Sequence, residues 1–350
     1  MNGHVRITDV SPRDGLQNEP GVVSTADKLR LVGLLAAAGV DEVEVTSFVS
    51  PKWVPALADA TPLVTALAEM LGRSDEDPGG RPEPWRSYFD SPDAACKFSA
   101  LVPNQRGMES LIACNVDPRD EDAVATPLSK IAVFTAASET FCQKNLACAI
   151  HESLTRFKPV IALAGERQLF TRGYISCAIA CPFEGPIDPN AVADVAEQLA
   201  EIGCAEIDLG DTIGAGTPET TRAMIEAVVA RLGSKWLRDY RLTLHLHDTF
   251  GRAADCVKTA LYLGIRSFDG SAAGLGGCPF AGTTEKPAPG NISTELLVQT
   301  IHDAGYETNV NTSALKAAAT FAREIVTKAR AHAAALRSAQ AGENAEGSPS

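Results

Sequence analysis

Eight short runs rich in β-branched residues alternate along this chain with eight longer segments of helical periodicity, a pattern that few architectures accommodate. The strands read as residues 4–10, 41–47, 97–103, 129–135, 171–178, 205–209, 241–247 and 266–271. The helices read as 25–38, 55–71, 105–114, 146–166, 188–203, 217–232, 251–264 and 291–304. Ser24-Thr25, Asp188-Pro189 and Thr217-Pro218-Glu219 supply start signals, and Gly39, Gly203, Gly233 and Gly264 supply stops. Eight β-α repeats predict an α/β fold, a (β/α)8 TIM barrel, and 350 residues suit one with extensions. The runner-up is a doubly wound open sheet. It usually has fewer strands and often a GxGxxG turn after strand one, which is absent here.

The barrel is expected over 1–310, interrupted by two Asp-, Pro- and Gly-rich insertions at 72–96 and 115–127. Each joins a helix to the next strand, so each is expected as a solvated loop on the face opposite the catalytic one, available to a partner subunit. An Ala-rich helical extension follows at 311–336, and 337–350 reads as a disordered tail.

A net charge of −13 gives no basic patch for nucleic acid or an anionic membrane. No run reaches the roughly 18 apolar residues of a membrane span. No leader pattern precedes the first strand, so a cytoplasmic protein is the expectation. The nine cysteines are scattered without CxxC pairs, mostly in apolar runs, as reduced core thiols are.

Polar residues at the C-terminal ends of barrel strands converge on one pocket. Strand one leads into Arg13-Asp14, strand two carries Glu44 in "VEVTSF", and strand six leads into Asp211. Strand seven, "LTLHLHD", is the strongest signal. His245 and His247 lie two apart and so face the same way. They read either as a ligand pair or as two satisfied core histidines, and the pairing at a strand end favours ligands. Two imidazoles plus a carboxylate suit a divalent cation, with magnesium, manganese or zinc all fitting by ligand type. Asp14 can join them because strand eight closes the barrel between strands seven and one. After strand eight, Gly274, Gly276 and Gly277 let backbone approach a ligand. Cys278 follows on the same loop, an acid-base or nucleophilic candidate on a possible lid.

Together "SPRDGLQNE", "VTSFVSPKWVP", "LGDTIGAGTP", "LHLHDTFG" and "AGLGGCPFA" resemble the 3-hydroxy-3-methylglutaryl-CoA lyase family, within the metal-dependent TIM-barrel lyases. The resemblance runs from about residue 4 to about residue 310. RDGxQ and HxHD are shared with isopropylmalate and homocitrate synthases, whereas "GLGGCPFA" is more specific. The resemblance implies a divalent-metal-dependent cleavage of 3-hydroxy-3-methylglutaryl-CoA to acetyl-CoA and acetoacetate. It implies Asp14, His245, His247 and Asn291 as metal ligands, with magnesium or manganese ahead of zinc. Arg13 would stabilise the thioester enolate and Cys278 would protonate it. Glu44, Asp211 and Glu295 would organise the site, and Gln17, Gly276 and Gly277 would contact substrate. Asp14, Asp211 and a bound water all stand as candidates for the base. The family is often dimeric, which makes a homodimer acting on an acyl-CoA the expectation.

Three departures touch the acyl group. Pro20 stands where the family commonly has Lys. Asp208, in "IDLGD", replaces a common Ser, and reads either as added negative charge facing the site or as an ion-paired residue. The lid is longer, and its Lys286 is a candidate to replace the missing Lys. A related substrate, such as citramalyl-CoA or a longer-branched glutaryl-CoA, is therefore the alternative. An acetyl-CoA-dependent Claisen synthase and a catalytically silent barrel are less favoured, since the cysteine loop and every expected ligand are present.

Overall fold

The computed structural model describes the backbone of residues 3–74, 80–91, 95–115, 127–282, 287–288 and 290–346, and their side chains except at 278–282, 287–288 and 339–346. Eight parallel strands close into a barrel: β1 (Arg6–Asp9), β2 (Glu42–Ser47), β3 (Lys97–Leu101), β4 (Lys130–Ala136), β5 (Phe170–Ser176), β6 (Glu206–Asp211), β7 (Leu242–Leu246) and β8 (Ser267–Gly270). Closure is made by β1 on β8, with Arg6 opposite Ser267 and Asp9 opposite Gly270. This is the TIM barrel expected from the alternation.

Around it lie α1 (Thr25–Ala37), α2 (Ala60–Gly72), α3 (Trp85–Phe89), α4 (Gln105–Ile112), α5 (Glu139–Leu146), α6 (Ile150–Glu166), α7 (Pro189–Glu201), α8 (Pro218–Leu232), α9 (Ala253–Tyr262) and α10 (Thr294–Asp303). The expected caps form. Ser24 accepts from Asp27 N, Asp188 from Asn190 N, and Thr217 from Thr220 N, each satisfying a free amide of a first turn. The aliphatic core fills the layer between strands and helices, for example Val43, Val45, Ile207, Leu209, Leu35 and Val228.

Three features differ from the sequence reading. The first insertion is not wholly a solvated loop: within it α3 buries Trp85 and Tyr88. Trp85 lies where a Cβ on Gly33 of α1 would come within 2.8 Å of its ring, so the absence of that carbon makes its berth. The helix expected at 146–166 begins at Ile150, as α6, and an unforeseen helix, α5, precedes it, the two separated where Ala147 turns left-handed at φ 52°. The last helix, α11, runs Thr312–Glu346, past the expected end at 336, so residues 337–346 are helix where a disordered tail was expected. Its first part packs on α1 and buries Leu315, Ala322, Ile325 and Val326. Of the second insertion, residues 116–126 lie outside the described residues.

The barrel interior near its N-terminal end is an ion lattice rather than an aliphatic stack. Glu206 meets Arg6 at 2.6 Å, Arg172 at 2.5 Å and Lys130 at 2.9 Å, and Lys130 also meets Glu42 at 2.5 Å. Burial opposes charge on Glu206, but its three cations hold its carboxyl well below the usual range.

Candidate active site

At the C-terminal mouth, the chain leaves β1 through a wide helical turn, Ser11–Gly15, opened by Pro12. A turn of this π type is a local distortion that recurs at functional sites. It presents Arg13 and Asp14, both nearly buried, to the barrel axis. Arg13 donates from Nε to Glu44 Oε2 at 2.5 Å and from Nη1 to Asp14 Oδ1 at 2.6 Å. Burial opposes its charge, yet Glu44 and Asp14 hold it protonated, above its ordinary value. Gln17 Nε2 donates to the same Asp14 oxygen at 2.7 Å.

The other oxygen of Asp14 faces β7. Asp14 Oδ2 lies 4.0 Å from His245 Nε2 and accepts from Asn291 Nδ2 at 2.8 Å. The rings of His245 and His247 are 5.5 Å apart. Asp14, His245 and His247 each offer a ligand atom within 4.8 Å of the others. Burial pushes the Asp14 carboxyl up, but Arg13, His245 and His247 outweigh it and bring the group down to about 2. Burial, with the neighbouring His245, lowers His247 to about 4. His247 Nδ1 is buried without a hydrogen-bond partner. A neutral imidazole with an orphaned nitrogen beside an ionised carboxylate is a donor set that fits a divalent cation.

Beneath the histidines, Nδ1 of His245 lies 3.3 Å from Asp269 Oδ2. Asp269 takes both of its oxygens to Arg172 Nη1, at 2.9 and 3.1 Å. Tyr174 fills the space between, its hydroxyl accepting from Arg172 at 3.1 Å. Its ring lies 5.5 Å from the Arg13 guanidinium and edge-on to His245 at 6.2 Å. Arg172, Tyr174 and Asp269 were not singled out from the sequence. The available signal was the one that found Glu44, a polar residue inside an apolar strand.

Not every expected residue joins this cluster. Asp211 ends β6 with its oxygens accepting from Ala215 N at 3.0 Å and Gly216 N at 2.8 Å, and burial raises it to about 6. Glu295 accepts from Ala273 N at 3.0 Å, bracing the turn after β8 rather than meeting the histidines. Asp9, unforeseen, performs a similar task from β1: it accepts from Ser11 N, Ala272 N and Thr294 Oγ1 at 2.9, 3.0 and 2.6 Å. Gly276 has φ 99°, and a Cβ there would sit 2.5 Å from Asn291 Nδ2, so only glycine lets this loop reach the site. Gly277 follows it in the same loop. Cys278 opens a strand, Cys278–Gly282, paired with Pro287–Ala288, but its thiol lies outside the described side chains, and Lys286 lies outside the described residues. Of the departures, Pro20 is exposed. Asp208 faces inward and is fully buried, 3.6 Å from Arg172 and one layer nearer the N-terminal end than His245. It lies within 4.8 Å of ligand atoms of His245 and Asp269, and burial with the neighbouring Asp269 pushes its carboxyl well up, so it shares the inward face but adds little negative charge there.

No described helix is long and apolar enough to cross a membrane. Residues 4–322 match the model of the HMGL-like family. The 3-hydroxy-3-isohexenylglutaryl-CoA/hydroxy-methylglutaryl-CoA lyase of Pseudomonas aeruginosa is 42% identical over 311 residues, covering 89% of each chain. The cytoplasmic 3-hydroxy-3-methylglutaryl-CoA lyase of Rattus norvegicus is 39% identical over 325 residues, 93% of this chain and 82% of that one. The crystal structure of the HMG-CoA lyase from Brucella melitensis superposes with a TM-score of 0.77 at 40% identity, over 93% of this chain and 99% of that chain. With a barrel of matching topology and a family match that spans nearly the whole of it, the chain belongs to the HMGL-like family.

Proposed function

We propose that the protein is a divalent-metal-dependent carbon-carbon lyase that cleaves 3-hydroxy-3-methylglutaryl-CoA to acetyl-CoA and acetoacetate. The observation that carries this reading is the meeting of Asp14, His245 and His247 within 4.8 Å, beside an Arg13 that is itself bonded to Asp14. Asp14, His245, His247 and Asn291 would hold the cation, magnesium or manganese. Such a cation supplies Lewis-acid chemistry that makes a tertiary hydroxyl easier to deprotonate. Asp14, Asp211 and a bound water are the candidates to take that proton. The C2–C3 bond then breaks, C3 becomes the ketone carbon of acetoacetate, and the bonding pair passes to the enolate of acetyl-CoA.

Arg13 is the cation that meets the developing enolate oxygen. It is fixed by Glu44 and Asp14 before the reaction begins, so little reorganisation is needed as charge appears. Cys278 returns a proton to C2. Gln17 orients Asp14, Gly276 and Gly277 bring the loop over the thioester, and Glu295 steadies the turn at its base. The protein acts as a homodimer in the cytoplasm, a setting in keeping with described cysteines that are all free thiols.

A metal-supplemented assay with 3-hydroxy-3-methylglutaryl-CoA, following acetyl-CoA and acetoacetate, tests this. Wild type should turn over, and Cys278→Ala and His247→Ala should lose most activity. Metal binding without cleavage of this thioester would overturn the assignment of substrate.

A further inference from the structure

The mouth of the barrel is lined by two unlike halves. Strands β6, β7, β8, β1 and β2 present Asp208, Asp211, the histidines, Asp269, Arg13, Asp14 and Glu44. Strands β3 to β5 present carbon. On β4, Lys130 points inward, since its ammonium meets Glu42 and Glu206 across the axis. Ala132 and Phe134, two and four residues on, therefore face inward too. Ser99 on β3 bonds Glu42 inside the barrel, which turns Leu101 the same way. Arg172 does the same for Tyr174 on β5.

These four side chains form an apolar cluster of their own, separate from the core between strands and helices. Leu101, Ala132 and Tyr174 are buried in it, and Phe134 is half-buried at its edge. The cluster is continuous with the reacting groups, because the Tyr174 ring touches both Arg13 and His245. Of this wall only Phe134 keeps appreciable exposed surface, so it is the member placed to meet an apolar group that enters beside the charged site.

Resting on the reading of the reaction above, we infer that this wall seats the alkyl substituent at C3 of a 3-hydroxy-3-alkylglutaryl thioester, and that Phe134 and Ala132 set the length of branch admitted. C3 of such a substrate carries a hydroxyl, which belongs on the charged half, and an alkyl group, which belongs on the carbon half. The split mouth therefore matches the two faces of that one carbon. Phe134, the cluster member with exposed surface, limits reach at the rim. Ala132, the smallest, lies buried at its base, where a larger side chain would crowd the wall.

The test is a comparison of kcat/KM for two thioesters, one with a methyl and one with an unbranched C4 alkyl group at C3, in wild type, Phe134→Ala and Ala132→Leu. Phe134→Ala should raise the ratio of long-branch to methyl substrate by roughly tenfold or more, and Ala132→Leu should lower it by roughly tenfold, the scale of a few methylenes in an apolar pocket. If both ratios stay within about threefold of wild type while the methyl substrate is still turned over, the wall does not read the branch and the inference falls. Should Ala132→Leu fail to fold by circular dichroism, the half-buried Phe134 position decides alone. Should wild type cleave neither thioester, the reading of the reaction falls. The wall is then judged by the ratio of the two Kd values in the same variants, and an unmoved ratio overturns it as well.

Discussion

Arg172 holds Asp269 by both carboxylate oxygens, at 2.9 and 3.1 Å, and so turns that carboxylate toward Nδ1 of His245. Burial alone would raise the Asp269 carboxyl, but Arg172 and His245 keep it ionised, well below its ordinary value. Its charge fixes the tautomer and tilt of His245, leaving Nε2 free to face Asp14. Asp269→Asn should therefore weaken Mn²⁺ binding by roughly 10–100-fold although Asp269 is not itself one of the four proposed ligands. Isothermal titration of chelator-treated protein checks it. His247→Ala should cost more than Asp269→Asn, and equal effects would contradict the ligand assignment.

Removing Arg172 itself should act on stability. Arg172→Met leaves Glu206 and Asp269 short of a cation in a dry interior, a loss of about 3–5 kcal/mol. Urea unfolding measures it. A loss below about 1 kcal/mol would mean that water enters the barrel and replaces the guanidinium.

Asp9 gives a dependence on pH. Burial raises its carboxyl from 3.8 to about 6, although Ser11 and Thr294 hydrogen bonds work against the rise. The folded protein thus keeps this proton where the unfolded chain has released it. The contribution is present in full below pH 3.8 and is lost as pH climbs through about 6. Across that window it amounts to about 3 kcal/mol. Asp9→Asn should remove this downward slope from the stability profile, read as Tm at half-unit steps of pH. A profile parallel to wild type would contradict the buried, protonated carboxyl.

The loop after β1 is tied to the far end of the chain. Arg330 on α11 grips Glu19 with two bonds of 2.7 Å, and Glu19 is nearly buried beneath it. Arg330→Ala should lower stability by only about 1 kcal/mol, because Arg330 is half exposed. It should also quicken hydrogen exchange at residues 17–22, next to Gln17. Mass-spectrometric exchange would show whether that segment responds more than the rest of the barrel.

What the sequence made legible follows from how local each signal is. Strands and helices announce themselves by period and caps, so β1 to β8 fell within a few residues of their places. Asp14, His245 and His247 were legible because a motif and a two-residue spacing mark them. Arg172 and Asp269 were not, since each makes sense only once strands far apart in sequence close around one axis. Trp85 was lost among Pro, Asp and Gly, although its berth on Gly33 lay equally in the sequence. Helix α5 went unread: it is short, and the turn that closes it rests on Ala147, which carries no turn signature while adopting a glycine-like backbone.

The bond between Asn291 Nδ2 and Asp14 Oδ2 joins residues 277 positions apart. A ribosome adding roughly 5–20 residues per second delivers Asp14 some tens of seconds before Asn291. Arg13, Asp14 and Glu44, which bond one another, are all made early in that interval, while the histidines and Asn291 come later. The Asp14 carboxylate therefore meets its Asn291 partner only after the eighth strand has been made and the barrel can close on its first.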